Sequence, residues 1–197
     1  MSATIDALPL PPAVPQFRQN LWRRLAARAF HACGWHVQGQ FPNEARVVLI
    51  AAPHSSWWDG VWALLLKIAL GVDVSFMGKR ELFIGPLGWV LRRLGGIPIE
   101  RTASHGLVEQ FVERLRATPR LWVGIAPEGT RKRGGRWRSG FWHIAHTVGV
   151  PILPVHFDYP SRTIGIGPLF HTTDDMSADI AALLAYYGSF RGKHHNA

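Results

Sequence analysis

Short apolar runs alternate with helix-like segments through most of this 197-residue chain, and that alternation restricts the fold more than any single residue does. Residues 46–52, 72–77, 97–100, 121–126 and 152–157 are rich in Val, Ile and Leu, and each ends at Pro, Gly or a charged residue, as buried strands do. Between them, 60–70, 81–94, 104–117 and 137–148 have helical spacing, with Pro86 and Gly88 expected to kink or break the second. Further strands are expected at 35–39 and 163–166, and a helix at 174–187. The pattern predicts an α/β fold, a single domain with a largely parallel central sheet flanked by helices.

A chain of this length holds one well-buried domain, read here as residues 16–197 behind a flexible Pro-rich leader over 1–15. Residues 16–33 form a basic amphipathic helix. Phe17, Leu21, Trp22, Leu25, Ala29 and Phe30 recur at three and four residues, and Arg18, Arg23, Arg24 and Arg28 lie opposite. Such a helix suits an anionic membrane interface, or else packs on the domain with its basic face in solvent. The leader does not read as a signal peptide, and the longest apolar segment, 61–70, is interrupted by Lys67. The expectation is a cytoplasmic protein, peripheral on the inner face of a membrane.

The formal charge of +9 calls for an acidic partner: anionic lipid, a phosphorylated substrate or nucleic acid. The single Cys33 can form no intramolecular disulfide, which points to a reducing compartment.

In a parallel α/β sheet the ligand crevice lies at the carboxyl ends of the strands. His54 and Asp59 fall on the turn after the strand 46–52, Lys79 and Arg101 follow two more strands, and Glu128 to Arg131 follow another. An imidazole can take a proton from a hydroxyl near neutral pH, and a carboxylate on its other nitrogen fixes the tautomer and stabilises the imidazolium. Asp59 can equally be a helix cap and His54 a surface loop residue. Residues 131–138 carry five cations and two glycines before a helix, a natural anion cradle.

Four ordered blocks give these residues a context. They are His54-Ser55-Ser56-Trp57-Trp58-Asp59, then Gly78-Lys79-Arg80-Glu81-Leu82 with Gly95-Gly96-Ile97-Pro98-Ile99-Glu100-Arg101, then Ala126-Pro127-Glu128-Gly129-Thr130-Arg131, then Val150-Pro151-Ile152-Leu153-Pro154-Val155. In order and spacing they resemble the blocks of the glycerolipid acyltransferases, the 1-acylglycerol-3-phosphate acyltransferase type whose first block is His, four residues, Asp. The resemblance implies transfer of a fatty acyl group from acyl-CoA or acyl-carrier protein to a hydroxyl of a lysophospholipid or similar glycerol-phosphate acceptor. It implies His54 and Asp59 as catalytic residues, and Lys79, Arg101, Glu128, Gly129, Thr130 and Arg131 as acceptor-binding residues. Pro53 stands where the family often has Asn.

Other chemistries find less support. His143 and His146 share a helix face without a carboxylate or thiol at ligand spacing, so no metal site is expected, and no cofactor beyond the acyl donor. No Gly-x-Ser-x-Gly elbow, P-loop or dinucleotide fingerprint occurs. Nucleic-acid binding has the charge but no motif, and no nucleic acid partner is expected. A catalytically silent lipid-surface protein is the other alternative.

Overall fold

The structure is a computed structural model that describes residues 9–17, 21–99, 106–129 and 137–194. The apolar runs emerge as β2 (Arg46–Ala52), β3 (Val74–Lys79), β4 (Gly96–Ile99), β5 (Leu121–Ile125) and β6 (Ile152–Asp158), joined by β1 (His36–Gln38) and β7 (Thr163–Ile166). They form one seven-stranded sheet in the order β1-β7-β6-β2-β5-β3-β4. Strands β2 to β6 all run parallel, so their carboxyl ends share one edge. Strand β7 is antiparallel to β6, and β1 closes the sheet parallel to β7.

Helices α1 (Leu21–Ala32) and α2 (Trp57–Leu70) bound one side, and α4 (Leu107–Ala117), α5 (Gly140–Val148) and α6 (Met176–Tyr187) the other. The central strand divides its side chains between the two. Val47 joins Phe30, Trp35, Leu66 and Trp122 in one core, while Val48, Ile50 and Ala52 join Phe111, Leu115, Phe141 and Leu183 in the other. A strand buried on both faces must be apolar throughout, which is why 46–52 reads as one run without alternation.

Several boundaries differ from the sequence expectation, and three of them shape the carboxyl edge of the sheet. Helix α2 begins at Trp57 instead of Gly60, because Ser56 caps it through a capping box whose other member is the Asp59 side chain, so Asp59 lies inside the first helical turn and not on the connecting turn. Strand β3 runs two residues further than expected, so Lys79 is its last residue rather than its first successor. The helix expected over 81–94 is a 3-10 turn, Arg80–Phe83, followed by α3 (Gly85–Arg93). Pro86 fits the first turn of α3, where its missing N–H costs nothing. Gly88 allows the close approach that follows, since a Cβ there would stand 2.1 Å from the backbone of Phe83.

The N-terminal expectations also change in detail. Within the leader read over 1–15, residues 9–15 are held to the domain: Val14 is buried, the Asp73 N–H donates to Pro15 O, and Arg120 donates to Pro12 O. Gln16 pairs with Val72 as a β-bridge, and Phe17 lies over the Lys67 ammonium, both before α1 begins. In α1, Ala27 and Phe30 are buried, whereas Leu21, Trp22 and Leu25 are exposed. Arg23 leaves the basic face and donates to the carbonyls of Ala69 and Leu70, where α2 ends. Arg24 and Arg28 remain exposed, and Arg18 lies outside the described residues.

Candidate active site at the carboxyl edge of the sheet

His54 stands two residues past β2, after the cis Ala52–Pro53 bond. Its ring is 27% exposed, and Nδ1 lies 3.5 Å from Asp59 Oδ2. Asp59 is fully buried. A carboxylate taken from water needs several partners, and this one has them. Oδ2 accepts the Ser56 backbone N–H at 2.7 Å, Oδ1 accepts the Tyr159 hydroxyl at 2.5 Å, and the amino end of α2 adds its positive field. Helix capping and an imidazole contact are thus carried by the same carboxylate.

Tyr159 comes from the residue after β6, the neighbouring strand. Burial, reinforced by its bond to Asp59, pushes its phenol well above the usual value, so it remains a donor. One wall beside this bond is aromatic: Trp35 meets Tyr159 edge-on at 5.1 Å and Trp62 at 5.1 Å, and Trp62 stacks with Trp58. Sequence reasoning missed Tyr159. The available signal was its place just past an apolar strand on the edge that carries His54.

On the opposite flank, the turn after β5 brings Glu128 beneath the His54 loop. Glu128 is buried, and its Oε1 accepts the His54 backbone N–H at 2.8 Å. Gly129 turns the chain with φ +62, and its N–H donates to Ala126 O. Arg138 packs against it closely enough that a Cβ at 129 would meet the guanidinium nitrogen at 2.8 Å.

The structure therefore brings His54, Asp59 and Glu128 together from β2, α2 and the β5 turn. Lys79 is exposed at the end of β3 on the same edge, two strand positions from β2 and hence about 10 Å away. Arg101, Thr130, Arg131 and most of the cation-rich segment lie outside the described residues. Near the end of the chain, His194 donates its backbone N–H to Ser55 Oγ at 3.2 Å, while Lys193 lies over the Trp58 ring. Among the described residues no group of three or more His, Cys, Asp or Glu side chains converges as metal ligands would, and His146 stacks on Trp142.

The model of the family described as Acyltransferase matches residues 35–158, more than half of the chain. The chain belongs to the Acyltransferase family. Its fold is similar to that of the 1-acyl-sn-glycerophosphate (LPA) acyltransferase PlsC from Thermotoga maritima, with a TM-score of 0.57 at 20% identity over 82% of this chain and 75% of that one. It is 30% identical over 134 residues to the 1-acyl-sn-glycerol-3-phosphate acyltransferase of Streptococcus pneumoniae, covering 67% of this chain and 49% of the relative. It is 33% identical over 146 residues to the enzyme of that name from Escherichia coli, covering 69% and 58%. The chain thus spans about half the length of the curated relatives it matches. Every residue singled out from the four sequence blocks falls inside the Acyltransferase match, and Tyr159 lies one residue beyond it.

Proposed function

We propose that this protein is an O-acyltransferase of the 1-acyl-sn-glycerol-3-phosphate type, moving a fatty acyl group from acyl-CoA or acyl-carrier protein to a hydroxyl of a phosphorylated lipid acceptor. The observation that carries the proposal is the His54–Asp59 contact, because a partly exposed imidazole backed by a fully buried, triply engaged carboxylate suits a general base. Asp59 faces Nδ1, so Nε2, on the far side of the ring, would take the acceptor proton. The alkoxide then attacks the thioester carbonyl, and collapse of the tetrahedral intermediate expels the thiolate. The imidazolium returns the proton to that thiolate. Asp59 and Tyr159 hold the imidazole in register throughout.

Lys79, Arg101 and Arg131 would bind the acceptor phosphate, with Gly129 and Thr130 shaping the turn beside it. Glu128 would act mainly through the His54 backbone, whose position it sets. Neither a metal nor a redox cofactor is required. The acceptor and product are lipids, which favours a peripheral protein on the cytoplasmic face of an anionic membrane. No helix among the described residues is long and apolar enough to cross a bilayer. The outward Leu21, Trp22, Leu25, Arg24 and Arg28 of α1 suit such a surface. Incubation with labelled acyl-CoA or acyl-carrier protein and a panel of lysophospholipid and other hydroxyl acceptors, followed by product identification, tests the assignment. Absence of transfer to every acceptor refutes it.

A further inference from the structure

Five of the ten large apolar side chains that stand exposed among the described residues fall within nine positions: Leu82, Ile84, Leu87, Trp89 and Val90. Ile84 is 73% and Trp89 69% exposed. An apolar concentration of this kind on a surface marks something that covers it. The segment is not loosely attached. Phe83 is buried beneath it, Gly88 rests against the Phe83 backbone, Gly96 leaves room for the Phe83 ring, and Arg92 lies over that ring at 5.4 Å. The fold holds the apolar face outward.

We infer that the 3-10 turn and α3 together form a wedge that docks the protein on an anionic bilayer and brings the carboxyl edge of the sheet to the lipid surface. This rests on the acyltransferase reading for its purpose, though not for its physical argument. Charge selects the bilayer as occupant. Arg80, Arg92 and Arg93 flank the apolar residues with Glu81 as the one acid, which matches an anionic headgroup layer. A second copy of the chain, meeting this face with the same face, would set those cations against their own kind.

Position selects this wedge for orienting the site. It leaves β3 directly at the edge that carries His54 and Glu128. The exposed residues of α1, by contrast, begin beside Arg23, which bonds the carbonyls at the far end of α2. That helix has 14 residues, a length of about 21 Å from its His54 end. A contact through α1 alone would leave the site away from its acceptor.

The test is co-sedimentation of the full chain with phosphatidylcholine vesicles, with and without phosphatidylglycerol. The parent is expected to pellet with the anionic vesicles only. The Leu87→Ser, Trp89→Ser double variant should bind them at least about tenfold more weakly, since two inserted side chains are lost. A polarity-sensitive fluorophore on Leu87→Cys, in a Cys33→Ser background, should shift to the blue on anionic vesicles. The proposal falls if the double variant, with parental circular dichroism, pellets as the parent does, or if the fluorophore stays water-like on bound protein. It falls equally if the variant only converts a dimer to a monomer with vesicle binding unchanged. Transfer to a water-soluble short-chain acceptor separates the two readings. A parent that binds vesicles but transfers nothing refutes the enzyme assignment alone, and one that transfers while the wedge fails refutes the wedge alone.

Discussion

Tyr159 and Asp59, 100 residues apart in sequence, are joined by a hydrogen bond in which the phenol donates to Oδ1 while Oδ2 faces His54. The bond stabilises the ionised carboxylate from the side away from the imidazole. Replacing Tyr159 with Phe removes the donor and leaves the ring contact with Trp35 in place. With one partner gone, Asp59 would hold the His54 imidazole less firmly, so kcat should fall with little change in KM. The rate at the optimum should fall by roughly tenfold, the worth of about one buried hydrogen bond to a charged group. An unchanged kcat would show that Tyr159 only fills space.

His54→Ala should reduce transfer by roughly 10²–10⁴-fold, the usual worth of general-base help. The ring is partly exposed and its removal should cost little stability, whereas the backbone bond to Glu128 does not depend on the side chain. Single-turnover rates on protein with parental circular dichroism check this. Transfer at the parental rate would exclude His54 as the base.

The parallel sheet was readable because β2 and β5 are covered on both faces and are apolar almost throughout, and β6 is interrupted only by His156 before its closing Asp158. Local signals also located His54, Asp59 and Glu128. What they could not supply was partnership across the chain. The Tyr159 bond, the Glu128 bond to the His54 backbone and the His194 bond to Ser55 join residues 100, 74 and 139 positions apart, and none leaves a periodic mark. The start of α2 was misplaced for a related reason. Ser56 resembles an ordinary loop residue until Asp59 is seen returning to its backbone N–H. In α1 the apolar period marked a face without showing that Phe30 would be covered and Trp22 left open.

Arg131→Ala should raise KM for a phosphorylated acceptor with little change in kcat, because a phosphate-holding cation binds ground state and transition state alike. An uncharged acceptor should be much less affected. The measurement is a pair of saturation curves with matched acceptors, and equal losses on both would remove Arg131 from the phosphate site.

His156 gives the fold a pH dependence of its own. Its ring stacks on Phe190 at 3.5 Å, bonds the Tyr186 hydroxyl, and lies so close over Gly165 that a Cβ there would be 2.0 Å away. Burial pushes its pKa down to about 4, against the opposing pull of Asp158. Between that value and the ordinary 6.5 the unfolded chain binds the extra proton, so stability is full above 6.5 and falls as pH drops toward 4. The loss should be on the order of 2 kcal/mol, allowing for solvent at the ring edge. Asp179, held low by Trp142 and Thr173 despite its burial, gives way only below its ordinary range, outside this window. Urea unfolding at pH 7.5, 6 and 4.5 should show the slope, and His156→Phe should flatten it. A parental slope in that variant would assign the effect elsewhere.

Helix α1 carries two kinds of apolar residue, and they should respond differently to substitution. Phe30 is fully buried and touches Trp35, and Ala27 lies beside it in the core. Phe30→Ala should therefore cost about 3–5 kcal/mol of stability through the lost transfer energy and the cavity left behind. A chain beginning at Gly34 loses these contacts together with the Arg23 bonds at the end of α2, and should melt well below the full protein. Trp22 and Leu25 stand outward, so their replacement by Ser should leave the melting temperature within a degree or two, surface changes being worth about 0.5 kcal/mol. Any effect should instead appear as weaker binding to anionic vesicles. Thermal melts and vesicle sedimentation on the same four proteins separate the roles. If the truncated chain melted like the parent, α1 would be an appendage and the inward half of this assignment would be wrong.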